Sequence, residues 1–151
     1  MSEREFPLPL GLAEEDLPKV EVKYGVYSSK TGAGVEELFL RGEGKVVLKR
    51  TASREADPEL QEGKLDVNVL VRLLEILEDQ RFFGLDEEQF ADHPGLRRIV
   101  KVSTPKEEKQ VAVDNEGGAQ FERSVSAILF AASLGEPRVL ERRFFQTMGP
   151  L

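Results

Sequence analysis

Five short strand-like runs, the clearest of them with apolar residues at every second position, restrict the fold more than any other feature. Val20, Val22, Tyr24 and Val26 form the first run, with Glu21 and Lys23 between them. Residues 37–41 and 45–50 follow around Gly42-Glu43-Gly44; residues 98–103 and 109–114 come later, the last through Val111 and Val113. A period of two puts one side of a strand in a core and the other in water. The runs therefore predict an antiparallel sheet with one wet face. The glycines at 42 and 44 suit the positive-φ positions of a tight hairpin connection.

Two other segments carry the helical period. Leu70, Leu73, Leu74 and Leu77 fall on one face, widened by Val69 and Ile76, while Asn68, Arg72, Glu75 and Asp79 lie elsewhere. Asp66 is placed to cap this helix, which ends near Gln80, with Gly84 close behind. In the second segment Phe121, Val125, Ile128, Leu129 and Ala132 make a core-facing stripe, stopped by Gly135 and Pro137. Between the helices, Phe82, Phe83, Leu85 and Phe90 are expected to pin the first helix's exit to the core. Residues 52–65 keep no period and contain Pro58 and Gly63, so they read as a long connection or a strand edge with an insertion.

The predicted order is β-β-β-α-β-β-α: an α+β two-layer sandwich, with an antiparallel sheet of about five strands covered on one face by two helices. Residues 19–135 make its single domain. Residues 1–18 are expected to be an extended N-terminal arm and residues 136–151 a C-terminal arm packing on the domain or on a partner. The start, Met1-Ser2-Glu3-Arg4-Glu5-Phe6-Pro7-Leu8-Pro9, is mixed in charge and interrupted by proline, unlike a secretory signal, so the expected compartment is the cytoplasm.

The inventory of reactive groups narrows function. The chain has no cysteine, which removes disulfides, thiolate metal sites and cysteine nucleophiles together. One histidine, His93, leaves no two-histidine site within a chain and sits beside Pro94-Gly95 in turn chemistry. No run of about 18 apolar residues occurs, so no membrane-spanning helix is encoded. The formal charge of −7 disfavours general binding to nucleic acid or to anionic membranes. That charge is concentrated: residues 52–92 hold twelve acids against four bases, which gives an acidic face able to steer a basic partner. Bases gather instead on the second hairpin, at Arg97, Arg98, Lys101, Lys106 and Lys109, without aromatic residues between them to stack on bases.

Three constellations invite a chemical reading. The loop Thr31-Gly32-Ala33-Gly34 has the glycines of a phosphate cradle, but a strand follows it and the next residues include Glu36 and Glu37. It reads as a connection or as a loop that presents itself to a partner. The segment Asp86-Glu87-Glu88-Gln89-Phe90-Ala91-Asp92-His93 offers hard oxygen ligands but lacks the spacing of a calcium loop and the nitrogen ligands zinc requires. In the C-terminal arm Leu140, Phe144 and Met148 are four apart and align on one helical face around Arg142-Arg143.

In strand and helix order, and in Thr31-Gly32-Ala33-Gly34, Leu70 to Leu77, Phe82-Phe83-Gly84-Leu85 and Val111-Ala112-Val113-Asp114, residues 19–134 resemble two small bacterial groups. One is the emfourin-like inhibitors of thermolysin-type metalloproteases. The other is a set of small α+β domains with a similar order of elements. The resemblance implies a protein without catalysis that binds or inhibits another protein through loops. The chain departs from the pattern in its 18 residues before the first strand and in the long 52–65 connection.

The expectation is thus a binding module that is not an enzyme, with no cofactor and no metal. Its partner is another protein, a protease among the candidates, with no role for nucleic acid or membrane. Thr31, Gly32, Ala33 and Gly34, with the 52–65 connection, are the expected contacts, and Phe144 and Phe145 are the expected homodimer contact. The rival readings are a small hydrolase or transferase using carboxylates in a groove, and a structural subunit of a larger assembly.

Overall fold

In the structure, a computed structural model, residues 7–28, 34–51, 59–92 and 95–135 are described. Their strands are β1 (Glu21–Ser28), β2 (Gly34–Arg41), β3 (Lys45–Arg50), β4 (Glu59–Lys64), β5 (Glu88–Gln89), β6 (Leu96–Ser103) and β7 (Glu108–Asp114). Helix α1 (Val67–Asp79) follows β4 and α2 (Ala119–Ser133) follows β7. One sheet contains all seven strands in the order β4-β3-β2-β1-β6-β7-β5.

The alternation sets the layers. Val22, Tyr24 and Val26 of β1 pair with Leu40, Leu38 and Glu36 of β2, and with Val102, Val100 and Arg98 of β6. The apolar members of these rows are buried in one cluster with Val46 and Leu48 of β3 and with the inward stripes of both helices. The intervening residues, among them Lys23, Phe39, Lys49 and Lys101, belong to the opposite face. The fold is therefore mixed α+β, with both α-helices packed into the core on one side of the sheet.

Two sequence expectations are corrected and one alternative is decided. The sheet has seven strands rather than about five, and it is mixed, because β5 runs parallel to β7 with Glu88 opposite Ala112 and Gln89 opposite Val113. Of the two readings of residues 52–65, the strand edge holds for residues 59–64, which form the edge strand β4, paired antiparallel to β3 from Arg50–Glu59 to Lys45–Lys64. Its side chains are exposed or half-buried on both faces, so no apolar alternation marks it, and the backbone ladder holds it in place. The second correction concerns the N-terminal arm, which is not simply extended. Pro9–Gly11 and Glu14–Lys19 are 3-10 turns, Leu8, Leu12 and Leu17 are buried along this stretch, and the Leu10 amide donates to Glu78 of α1 at 2.7 Å.

Local chemistry matches the sequence more closely. Asp66 caps α1 by accepting the Asn68 amide at 2.7 Å, and the helix reaches its C-cap at Gln80. The turn out of it, however, is made by Arg81 in the left-handed region (φ 54°), not by a glycine. Phe82 is fully buried, whereas Phe90 is 51% exposed with the Arg97 guanidinium 4.1 Å from its ring centre, so the aromatic run does not act as one plug. In the β2–β3 turn Gly44 has φ 112°, as expected of a hairpin glycine. Gly42 is needed for a different reason. Its amide donates to the Val20 carbonyl at 2.7 Å, and a Cβ there would collide with the Leu17 backbone.

Candidate binding groove

Each helix carries a second apolar stripe beside the one it buries in the core. On α1 this is Val69, Leu73 and Ile76, and on α2 Ala127, Phe130, Ala131 and Leu134, both at the three- and four-residue spacings of a helix ridge, with Leu73 and Ala131 shared with the core. The two ridges face each other across a shallow groove of about 230 Å3, with Asn68 and Arg72 on its rim. The alanines keep its floor low. Its α2 side is left bare: Phe130 is 66% exposed and Leu134 is 53% exposed.

At the N-terminal end of α1 the groove runs into a wider hollow of about 810 Å3 lined by Gly44, Gly63, Lys64, Leu65, Asp66, Val69, Ala131, Leu134 and Gly135. Val69, Ala131 and Leu134 line both spaces, so the two are neighbours. Gly135 fixes where the chain leaves α2. Its carbonyl accepts the Lys64 amide at 3.3 Å, and a Cβ on it would press on the Lys64 carbonyl and on Val46.

The charged residues of the sheet are organised differently on its two faces. On the open face Glu37 accepts from the Tyr27 hydroxyl at 3.1 Å and pairs with Lys23 at 3.0 Å, with Lys49 at 3.9 Å beyond. Burial acts to lower the Lys23 ammonium, but its bond to Glu37 and the nearby Tyr27 outweigh it and the pKa rises. Burial, then Glu37, raises the Tyr27 phenol. On the same face Asp114 is buried and takes two bonds from Arg97 (3.0 and 3.4 Å) and one from the Ala91 amide (3.1 Å). Chiefly through the Arg97 bond, its carboxyl is held below the usual range.

Beneath the helices, Arg98 is buried and forms a two-pronged pair with Glu122 in the first turn of α2, one bond at 2.9 Å, and it lies beside the Phe121 ring. Glu122 also accepts the Gly117 amide at 2.8 Å, which ties down the approach to the helix. Burial pushes the neighbouring Tyr24 phenol up to about 12, with Arg98 working the other way. Among the described residues the other buried acid is Glu36, which belongs to this face while Asp114 belongs to the opposite one, so the two do not form a pair.

Of the residues expected to make contacts, Thr31, Gly32, Ala33, Phe144 and Phe145 lie outside the described residues, as does His93. Gly34 opens β2, paired with Tyr27 across a bulge. Asp86, Glu87 and Glu88 are exposed, with Glu87 reaching Lys109 at 3.9 Å. The bases of the second hairpin are largely met by acids: Arg97 by Asp114, Arg98 by Glu122, Lys101 by Glu108 and Lys109 by Glu87. The groove residues Phe130 and Leu134 are not among the expected contacts. The signal that points to them is a large aromatic off the inward stripe of α2, continuing Ala127 to Leu134 at helical spacing.

No protein-family model matches the chain, and no curated protein matches it.

Proposed function

We propose that this chain is a protein-binding module without catalysis, and that the groove between α1 and α2 is where it receives a helical segment of another protein. The observation that carries the reading is the exposure of Phe130 beside Leu134 on a ridge-lined depression. An amphipathic helix lays its apolar face into such a groove through residues at i, i+3 or i+4, and i+7, and the two ridges offer matching rows. Aromatic residues in pockets supply most of the energy of such contacts. Contiguous bare apolar patches on a protein surface mark interaction sites.

The test is affinity capture from native cell extract with the full chain and with its Phe130→Asp variant. Phe130 is mostly exposed, so the variant should keep its melting temperature while recovery of the bound protein falls roughly tenfold. Equal recovery by both chains contradicts the reading. The narrower reading, inhibition of a thermolysin-type metalloprotease, is supported by the sequence resemblance. It requires stoichiometric loss of protease activity on mixing, and slow digestion of this chain instead ends it.

A further inference from the structure

We propose that in the free protein the α1–α2 face is covered by a second copy of the chain, related by a two-fold axis that passes near Val69 and Leu134. The inference rests on the reading of this face as a binding surface, and it names the occupant that a partner must displace.

A two-fold contact uses one patch twice, so whatever projects from the patch must fit a recess on the same patch. This face has both. Phe130 lines the narrow groove and is 66% exposed, and the hollow of about 810 Å3 is the groove's neighbour. A cavity of about 150 Å3 already accepts a benzene ring, so the hollow has room for the Phe130 ring of a second copy. Leu65, Val69 and Leu134 give that ring apolar surface.

The charges obey the same symmetry. Arg72 borders the groove, as Phe130 does, and not the hollow, whereas Asp66 borders the hollow and not the groove. The exchange that carries Phe130 of one copy into the hollow of the other therefore carries Arg72 toward Asp66 of the other, twice over. Along α1 the midpoint of residues 66 and 72 is Val69, which borders both spaces together with Leu134. Asp66 and Arg72 lie about 9 Å apart along the helix, and Phe130 and Gly135 about 8 Å, so one axis serves the ionic and the aromatic contacts together. Arg72 is available for this role. Among the described residues it has no ion-pair partner, whereas Arg97, Arg98, Lys101 and Lys109 each have one. The formal charge of −7 sets copies of the chain against each other in general, but the charged lining of this face, Lys64 and Arg72 against Asp66, carries none of that excess.

The test is sedimentation velocity of the full chain from about 1 μM to about 100 μM. The parent should pass from monomer to dimer, and Phe130→Asp should stay monomeric. Arg72→Glu sets an acid against Asp66 of the other copy and should weaken the dimer roughly tenfold. Adding Asp66→Asn removes that acid while the side chain can still accept the Asn68 amide, so part of the loss should return. In a chain without cysteine, Leu134→Cys near the axis should cross-link two copies through a short bismaleimide, and Lys49→Cys on the open face of the sheet should not. A parent that is monomeric throughout overturns the proposal. So does a dimer that Phe130→Asp and Arg72→Glu leave intact, or one that cross-links through Lys49→Cys and not through Leu134→Cys. If the chain stays monomeric while Phe130→Asp still loses the captured protein, the groove keeps its function and only the second copy is rejected. If Phe130→Asp removes the dimer but not the captured protein, the second copy stands and the groove is not where the partner binds.

Discussion

Arg98 and Glu122 join the sheet to the first turn of α2 through a two-pronged ion pair whose guanidinium is buried beneath the helix. Glu122 simultaneously holds the Gly117 amide, so one carboxylate fixes both the approach to the helix and its position over β6. Removing it by Glu122→Ala strands a buried cation. Breaking a fully buried pair costs about 3–5 kcal/mol, and because Glu122 is one-third exposed the expected loss is about 2–3 kcal/mol by urea denaturation. Replacing both partners, Arg98→Met with Glu122→Leu, should recover more than half of that loss. A double variant as unstable as the single one would show that the pair is not what positions α2.

The two tyrosines should titrate apart from ordinary phenol. Tyr24 is pushed up to about 12 by burial, and Tyr27 is raised by burial and by Glu37. Tyr27 folds back over Gly25, where an added Cβ would lie 2.6 Å from ring atoms Cε2 and Cζ. The clash is with the movable end of a side chain, so Gly25→Ala should fold, at a cost of about 1 kcal/mol, with Tyr27 swung off Glu37. Ultraviolet titration should then show the lower of the two phenol transitions falling toward the ordinary value of 10, with the Tyr24 transition unmoved.

Asp114 gives the acid side of the stability curve a defined cause. Its folded pKa lies below its ordinary 3.8, chiefly because of the Arg97 bond. A depressed carboxyl stabilises the fold above its unfolded pKa, and that stabilisation is lost as pH falls below about 3.8 through the folded value. Asp114→Asn should be less stable than the parent at neutral pH, and the difference should shrink steadily below about pH 3.8. A difference that stays constant down to about pH 2 would contradict this assignment.

Asp66 caps α1 and also lines the wide end of the groove. Asp66→Ala should cost about 1 kcal/mol in chemical denaturation, the usual value of a lost N-cap. Asp66→Asn or Asp66→Ser should restore most of it, because either side chain can accept the Asn68 amide.

What the sequence disclosed follows the strength of each physical signal. β1 was legible because Val22, Tyr24 and Val26 are all fully buried in register with two neighbouring strands. The cap at Asp66 and the inward stripe of α2 were legible because they depend on local chemistry and on period. β4 was only half legible, as a strand edge left open beside a plain connection, because an edge strand held by backbone bonds needs no apolar pattern, and Leu60, its one large apolar residue, is 62% exposed. The two-residue β5 is too short to carry a pattern. The role of Leu8, Leu12 and Leu17 depends on where the sheet and α1 leave space, which local sequence does not encode. The groove was half-written: Val69 and Ile76 widen a helical face in the sequence itself, but Phe130 acquires meaning only when α2 lies beside α1.

The most direct test compares two exposed phenylalanines. Phe130 lines the groove, and Phe90 stands under Arg97 away from it. Affinity capture with the full chain, with Phe130→Asp and with Phe90→Asp, each at matched folded fraction, should recover the same protein with the first and third and lose roughly nine-tenths of it with the second. Equal recovery from all three, or equal loss from both variants, would contradict the assignment of binding to the space between α1 and α2.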